Sequence, residues 1–417
     1  MSETNSIKSK RPEFQSFVLS NGIRIVHKYN NSPVAYLGVT INTGSRDEMP
    51  DELGLAHFIE HVLFKGTSKR TSYQINSRLE DVGGELNAFT TKEDTCVHAT
   101  FLKEHYSRAI ELIDDILFNS TFPDDELKKE KAIVVDEINS YKDSPSELIF
   151  DDFENLVFEG HPLGRHILGT PASLKKFDSE KVKQFIARNY NTDNIVISSV
   201  GKIQFDRLLA LLQQYFGARP ANLRGGARRP APEYVPQQKN IKKGTYQAHC
   251  VIGRTSFTYF DEKRTAMILL CNILGGMGAN SLLNLALREQ NGLSYSVESS
   301  FNAYSDTGTF TIYFGTDKEN VDRCFELVHE VLNKLKSAPL KEAELRKAKK
   351  QMIGQVAIAS ESKEGLMLSM GKSFMVYNKV ESLAEVNQKI NEITTEQLFS
   401  IANEMFDPEQ LSRLIFI

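Results

Sequence analysis

Long hydrophobic runs and a marked excess of charge of either sign are both missing from this sequence. No segment approaches the roughly 18 consecutive apolar residues of a membrane-spanning helix, so we expect no membrane as a partner. The formal net charge of −4 gives no bulk attraction to nucleic acid or to anionic lipid. A hydrophobic content of 41% and a charged content of 25% indicate a globular protein instead.

Cysteine is also scarce, and the four cysteines are scattered without a Cys-x-x-Cys pair. Cys250, Cys271 and Cys324 stand among apolar neighbours, which favours buried thiols. The first 22 residues have no apolar core after their charges and no small-residue cleavage site, so we expect no secretory signal. Glu3 and the single early arginine argue against a mitochondrial presequence. These features together predict a reducing, cytoplasmic location.

The chain is too long for one ordinary core, and proline and glycine interrupt it near its middle. The segment FGARPANLRGGARRPAPEYVPQQKNIKKGT, residues 216–245, contains four prolines and a Gly-Gly pair, which exclude a long helix or a central strand. We predict an N-terminal domain over residues 14–216, a linker over 217–245 and a C-terminal domain over 246–417. Four arginines of this region are expected to be solvated: Arg219, Arg224, Arg228 and Arg229.

The two predicted domains repeat one pattern of elements. Residues 85–138 are predicted to form two strands, a helix, a proline break and a second helix, and residues 294–355 follow the same order. Alternating apolar residues mark the strands, and apolar residues three and four apart mark the helices. The predicted fold class is therefore α+β, with two similar domains that each contain a mainly antiparallel sheet backed by helices.

Histidine is rare as well, yet two of the nine histidines fall within the apolar segment GLAHFIEHVLFKGT, residues 54–67. Residues at i, i+3 and i+4 share one face of a helix, so His57, Glu60 and His61 should lie side by side. Two imidazoles one turn apart can bind one Zn²⁺ ion at about 2.0–2.1 Å. A glutamate on that face can remain unligated and act as a general base, as in the His-x-x-Glu-His signature. The alternative is two core histidines with a glutamate beside them by chance.

A catalytic zinc takes three protein ligands and leaves one position open, so a third ligand must come from elsewhere. The acidic segment DDELKKEKAIVVDEINSYKDSP, residues 124–145, is the first candidate. Glu130 and Glu137 are two turns apart and share one face of this predicted helix. Four apolar residues precede Glu137, which predicts a buried carboxylate that needs a partner, and a metal ion would serve. The alternative is an ordinary surface glutamate.

The segments HFIEHVLFKGT and VVDEI together resemble the pitrilysin or insulinase family of zinc peptidases, M16, which includes mitochondrial processing peptidase and small bacterial relatives. The resemblance extends from about residue 14 to the C-terminus. It implies that His57, His61 and Glu137 bind one zinc ion per chain and that Glu60 activates the water. It also implies that Glu130 supports the ligand shell, in line with the general need to orient metal ligands.

Two further segments resemble the same family. DVGGELNAFTTKEDT is similar to the strand on which the family docks its substrate, and this implies that Asn87 and Ala88 contact the peptide beside the metal. An edge strand can pair with an extended peptide. LREQNGLSYSV is similar to a segment whose arginine and tyrosine contact the scissile region, which implies this role for Arg288 and Tyr295. Taken alone, Arg288 is equally explained by a helix-end salt bridge and Tyr295 by a half-buried strand.

The second repeat lacks a ligand set of its own. Aligning the halves places Cys271 and Asn272 near Glu60 and His61, and Ile353 near Glu137. The second half is therefore expected to close over the first without doing the chemistry itself. Six other histidines have no partner at ligand spacing and are not expected to bind metal: His98, His105, His161, His166, His249 and His329.

These features predict a zinc-dependent endopeptidase that hydrolyses peptides or unfolded segments bound as an added strand inside a closed chamber. Family members of this length usually pair as dimers, and the presence of both the zinc motif and the Arg/Tyr segment favours a homodimer. Two alternatives remain open. One is a catalytically silent family member that acts as a scaffold or substrate-binding partner, and the other is a zinc hydrolase that acts on a non-peptide bond.

Overall fold

The computed structural model describes residues 12–224 and 226–417. Half of the 22-residue segment that is predicted to carry no targeting signal, residues 1–11, therefore lies outside the described residues. The N-terminal domain contains a six-stranded sheet of β1 Gln15–Val18, β2 Arg24–Tyr29, β3 Val34–Ile41, β4 Glu85–Thr90, β5 Thr95–Leu102 and β6 Ile195–Gly201. Its helices are α1 Leu55–Val62, α2 Ser72–Glu80, α3 Tyr106–Phe118, α4 Asp124–Lys142, α5 Pro145–Val157, α6 Pro171–Leu174, α7 Ser179–Asn189 and α8 Phe205–Tyr215.

The C-terminal domain contains a five-stranded sheet of β7 Gln238–Ile241, β8 Ala248–Thr255, β9 Ser294–Ala303, β10 Gly308–Thr316 and β11 Ser412–Phe416. Its helices are α9 Arg264–Gly275, α10 Val321–Ser337, α11 Glu342–Ala359, α12 Lys363–Tyr377, α13 Leu383–Glu392 and α14 Thr395–Met405. A π-helical stretch, Asn284–Glu289, precedes β9. None of the helices in the described residues combines the length and hydropathy needed to cross a membrane.

The two sheets have matching topologies. The strand orders are β1-β2-β6-β3-β5-β4 and β7-β11-β8-β10-β9. All neighbouring strands are antiparallel except β2 with β6 and β7 with β11, which are parallel. The predicted α+β class with two similar, mainly antiparallel sheets is therefore confirmed. In both sheets the strand that follows the first helix, β4 or β9, lies at an edge.

Each sheet is covered on one face by helices of its own domain and on the other face by a helix of the other domain. In β6, Ile197 faces the core of its own domain, whereas the adjacent Val196 packs with Met367 and Phe374 of α12. In return, Phe153 of α5 packs with β8 and β11 of the C-terminal sheet. Because the central strands are buried on both faces, both layers are needed to cover them. This exchange of α5 and α12 holds the two domains together.

The connection between the domains is extended, as its prolines predict, but part of it belongs to a sheet. Residues 238–241 form β7, an edge strand that pairs with β11. The prediction that the arginines are solvated is wrong for three of the four. Arg219 pairs with Asp114, and both Arg224 and Arg228 pair with Asp47. Sequence composition identified a segment without regular structure but could not reveal the buried carboxylates against which it packs.

The four cysteines are buried free thiols, which confirms the prediction made for Cys250, Cys271 and Cys324. Burial raises the pKa of the Cys96, Cys250 and Cys271 thiols to about 12, so these thiols are inert.

Candidate metal centre

Helix α1 carries the His-x-x-Glu-His motif and lies between the N-terminal core, helix α4 and the edge strand β4. Phe58, Ile59 and Val62 are fully buried in the core, which fixes the rotation of the helix about its axis. The motif therefore occupies the remaining face, towards α4 and β4.

Two histidines of α1 and one glutamate of α4 converge. The Nε2 atom of His57 lies 3.6 Å from one carboxylate oxygen of Glu137, and the Nε2 atom of His61 lies 3.4 Å from the other. All three ligand atoms lie within 4.8 Å of one another. Two atoms that each lie about 2.0–2.1 Å from one tetrahedral ion are about 3.4 Å apart. The donor set and its spacing therefore fit a zinc ion, and it is the only such group in the described residues.

Glu137 differs from its predicted environment. Its side chain is 43% exposed, so the expectation of a buried carboxylate is wrong. The apolar run before it misled the prediction because the run does not lie on one face. Val134 is buried in the core, whereas Ile133 is 50% exposed. Glu137 instead faces an open space beside α1, where a ligand can approach.

Glu60 lies on the same face of α1 but outside the converging group. One of its carboxylate oxygens is buried and makes no hydrogen bond among the described residues. Burial raises the pKa of this carboxyl group, and the Glu137 carboxylate acts in the same direction. A buried acceptor without a donor costs free energy. A water molecule in the open position of the metal site could donate a hydrogen bond to this oxygen. Burial likewise lowers the pKa of His57 to about 4, which keeps its imidazole neutral and able to bind a cation.

Glu130 lies behind His61. One carboxylate oxygen is 3.2 Å from Nδ1 of His61, and the other is 2.8 Å from the ammonium group of Lys65. An Nδ1–H group that donates to this carboxylate leaves Nε2 of His61 free to bind a metal. The sequence interpretation did not identify Lys65. It could have been found from its position four residues after His61, because residues at this spacing lie on the same side of a helical segment.

Asn87 and Ala88 lie in β4, which pairs with β5 on one side and is the last strand of the sheet on the other. Its outer backbone groups are therefore unpaired within the sheet, beside α1.

Arg288 and Tyr295 lie in the C-terminal domain and are not brought to the histidines. The side chain of Arg288 is 50% exposed and lies 3.6 Å from Glu289, and Tyr295 is 84% exposed. Neither has a hydrogen bond or ion pair with His57, His61 or Glu137 in the described residues. Their strong exposure leaves both side chains available to another molecule.

Four of the remaining histidines have partners of their own: His98 pairs with Glu364, His161 contacts the carbonyl of Arg229, His166 pairs with Asp152, and His249 contacts Tyr313. None belongs to a group that could hold a metal ion in the described residues.

Comparison with known proteins agrees with this site. Residues 24–171 match the family described as insulinase (peptidase family M16), and residues 176–352 match the peptidase M16 inactive domain. An uncharacterized zinc protease of Bacillus subtilis, YmxG, is 35% identical over 96% of this chain and 97% of its own length. An uncharacterized zinc protease of Mycobacterium leprae is 32% identical over 93% of this chain and 88% of its own length.

Two crystal structures share the whole fold. A protease from Helicobacter pylori is 22% identical and has a TM-score of 0.88, covering 97% of this chain and 100% of the other. A Pseudomonas fluorescens structure described as a peptidase M16 inactive domain is 21% identical and has a TM-score of 0.90, covering 97% of both chains. At these identities the likeness shows the fold alone. The sequence matches and the identity of the curated relatives show that this chain belongs to the insulinase family of peptidases, M16.

Proposed function

We propose that this protein is a zinc-dependent endopeptidase with one zinc site per chain. The observation that carries the proposal is the convergence of His57, His61 and Glu137 at ligand spacing, with a buried Glu60 oxygen beside them that has no hydrogen-bond partner among the described residues. Three protein ligands leave a fourth position open, as hydrolysis requires.

In this mechanism His57, His61 and Glu137 hold the ion, and Glu130 orients His61. Zinc, when bound, supplies a Lewis acid that lowers the pKa of a water molecule to about 7 and polarises the scissile carbonyl. Glu60 accepts a proton from the attacking water and passes it to the leaving amine. Burial raises the pKa of Glu60, which makes it a stronger proton acceptor than an ordinary glutamate.

The substrate is proposed to be an extended peptide or unfolded segment that pairs with β4 near Asn87 and Ala88. The unpaired edge of β4 beside α1 supports this assignment, because main-chain hydrogen bonds recognise a peptide without regard to its side chains. Such pairing favours a peptide over a compact ester as the substrate.

Arg288 and Tyr295 are proposed to donate hydrogen bonds to the substrate carbonyl at the metal site of a second copy of this chain. The exchange of α5 and α12 holds the two domains together, which opposes closure of the C-terminal half over its own metal site. The exposed side chains of both residues are free to reach a partner. The protein would then be a homodimer that encloses a chamber, with domains over 14–216 and 246–417. Unpaired buried thiols support a cytoplasmic location.

The test is Glu60→Gln. Zinc content should stay near one ion per chain while peptide hydrolysis falls by about 10²–10⁴-fold, because the proton acceptor is lost and the ligands are not. Glu126→Gln is the matched control, since Glu126 lies on α4 and, among the described residues, forms an ion pair only with the exposed Lys129. Retained hydrolysis in Glu60→Gln would remove Glu60 as the base.

Two measurements on the wild type separate the alternatives. A silent scaffold would copurify without zinc or would leave a peptide mixture uncut, as read by mass spectrometry with and without a chelator. A zinc hydrolase of another class would cleave esters but not peptides of matched composition.

A further inference from the structure

Three consecutive charged residues, Arg46, Asp47 and Glu48, form a buried turn ahead of the metal-binding helix. Arg46 and Glu48 are each 4% exposed, and the Asp47 side chain is also 4% exposed. Charged side chains are rarely buried without specific partners. The partners of these three residues lie in three different parts of the molecule.

Glu48 holds the start of α1. Its two carboxylate oxygens accept hydrogen bonds from the backbone N–H groups of Gly54, at 3.0 Å, and Ala56, at 2.9 Å. The first N–H groups of a helix have no partner within it, and the two oxygens of Glu48 supply the acceptors that the Gly54 and Ala56 N–H groups need. Gly54 has a left-handed conformation, φ 88°, and a Cβ atom on it would lie 2.7 Å from the Cα atom of Gly169. The chain is therefore fixed immediately before His57.

Asp47 holds the interdomain segment. Its carboxylate accepts hydrogen bonds from the guanidinium groups of Arg224, at 3.0 Å, and of Arg228, at 2.8 and 2.9 Å. Because Arg228 also lies 3.4 Å from the carboxylate of Glu93, the segment is tied to the turn that follows β4.

Arg46 reaches the C-terminal domain. Its guanidinium group forms a bidentate pair with Asp306, at 2.7 Å for both bonds, in the turn between β9 and β10. It also donates to Glu93 at 2.6 Å. Bidentate arginine–carboxylate pairs fix orientation as well as distance. A single turn thus connects the start of the metal-binding helix to the β4–β5 hairpin and to the β9–β10 hairpin. These hairpins carry the edge strands β4 and β9.

We propose that Glu48 is a positioning residue for the metal centre and that the Arg46–Asp306 pair couples its position to the C-terminal domain. Glu48 sets where α1 begins and hence where His57 and Glu60 stand relative to Glu137 on α4. Asp306 acts on the metal centre only through Arg46 and the turn. The catalytic consequence rests on the proposed function, whereas the effect on metal binding does not.

The test compares Glu48→Gln and Asp306→Ala with the wild type in the intact protein. Gln retains one acceptor oxygen and replaces the other with an NH2 group that cannot accept from the start of α1, so zinc affinity measured against a competing chelator should fall by about tenfold or more. Asp306→Ala should weaken zinc binding in the same direction, by about threefold or more. Both variants should change the visible absorption of the Co²⁺-substituted protein, and kcat should fall while KM changes less.

Asp152→Asn is the matched control. Asp152 on α5 pairs with His166 of its own domain and also lies 3.7 Å from Lys243, just after β7, but it does not touch the turn, so this variant should leave the Co²⁺ spectrum unchanged. Wild-type zinc affinity and spectrum in Glu48→Gln would overturn the positioning role. The same result in Asp306→Ala alone would overturn the coupling to the C-terminal domain. If the wild type binds zinc but cleaves no peptide, the proposed function fails, while the affinity and the spectrum still decide this inference.

Discussion

Replacing Glu130 is the sharpest test of how the chain orients His61, one of its proposed metal ligands. In Glu130→Gln the carboxylate that joins His61 to Lys65 becomes a neutral amide of nearly the same shape. Each carboxylate oxygen serves one neighbour, and in Gln one of them becomes an NH2 group that cannot accept a hydrogen bond, so one of the contacts at 3.2 and 2.8 Å is lost. The orientation of His61 and its preference for an Nδ1–H group are both weakened.

The expected loss follows from these contacts. Carboxylate partners of metal-bound histidines typically contribute 10- to 100-fold to affinity, so zinc binding should weaken by about 1.4–2.8 kcal/mol. Lys65 should weaken zinc binding further in the Glu130→Gln variant. Its side chain is only 24% exposed, and without Glu130 its positive charge lies near the cation site without this counter-charge.

The assay is a competition titration of the metal-free protein with Zn²⁺ and a chelator of known affinity. Lys65→Met tests the other half of the contact and should weaken binding less, because His61 keeps its acceptor. Glu126→Gln, which changes a partly exposed carboxylate on the same helix, should bind zinc as the wild type does. A zinc affinity within twofold of the wild type in Glu130→Gln would refute the reasoning.

Two further predictions concern stability, measured by urea unfolding of the metal-free protein. Phe153 on α5 is fully buried against the C-terminal sheet, so Phe153→Ala should lower the free energy of unfolding by about 3–5 kcal/mol. A loss below 1 kcal/mol would contradict the conclusion that α5 holds the two domains together. Burial lowers the pKa of His27 to about 4. Between pH 4 and about 6.5, this histidine is therefore protonated in the unfolded chain but neutral in the folded state. Stability should fall as the pH drops from about 6.5 to 4, by roughly 3 kcal/mol, and His27→Leu should show a smaller fall over that range.

Some features of this protein follow from local sequence alone. The spacing of His57, Glu60 and His61 places them on one face whenever the segment is helical, because 3.6 residues complete a turn. The repeated order of strands and helices predicted two similar domains, and the structure confirms it. Glu137 was within reach as a candidate, but its assignment as a ligand came from the family resemblance, since sequence spacing does not show which distant helix faces α1.

Only the tertiary structure decided which elements meet. Apolar strands indicate that both faces of a sheet are buried. They do not indicate that α5 covers the sheet of the C-terminal domain or that α12 covers the sheet of the N-terminal domain. Composition favoured solvated arginines in the interdomain segment, yet Arg228 finds two buried carboxylates. The same limit hid Lys65 and Glu48. Periodicity fixes the face on which a side chain lies, whereas its partner depends on how separate elements pack, and that information is not contained in any short segment.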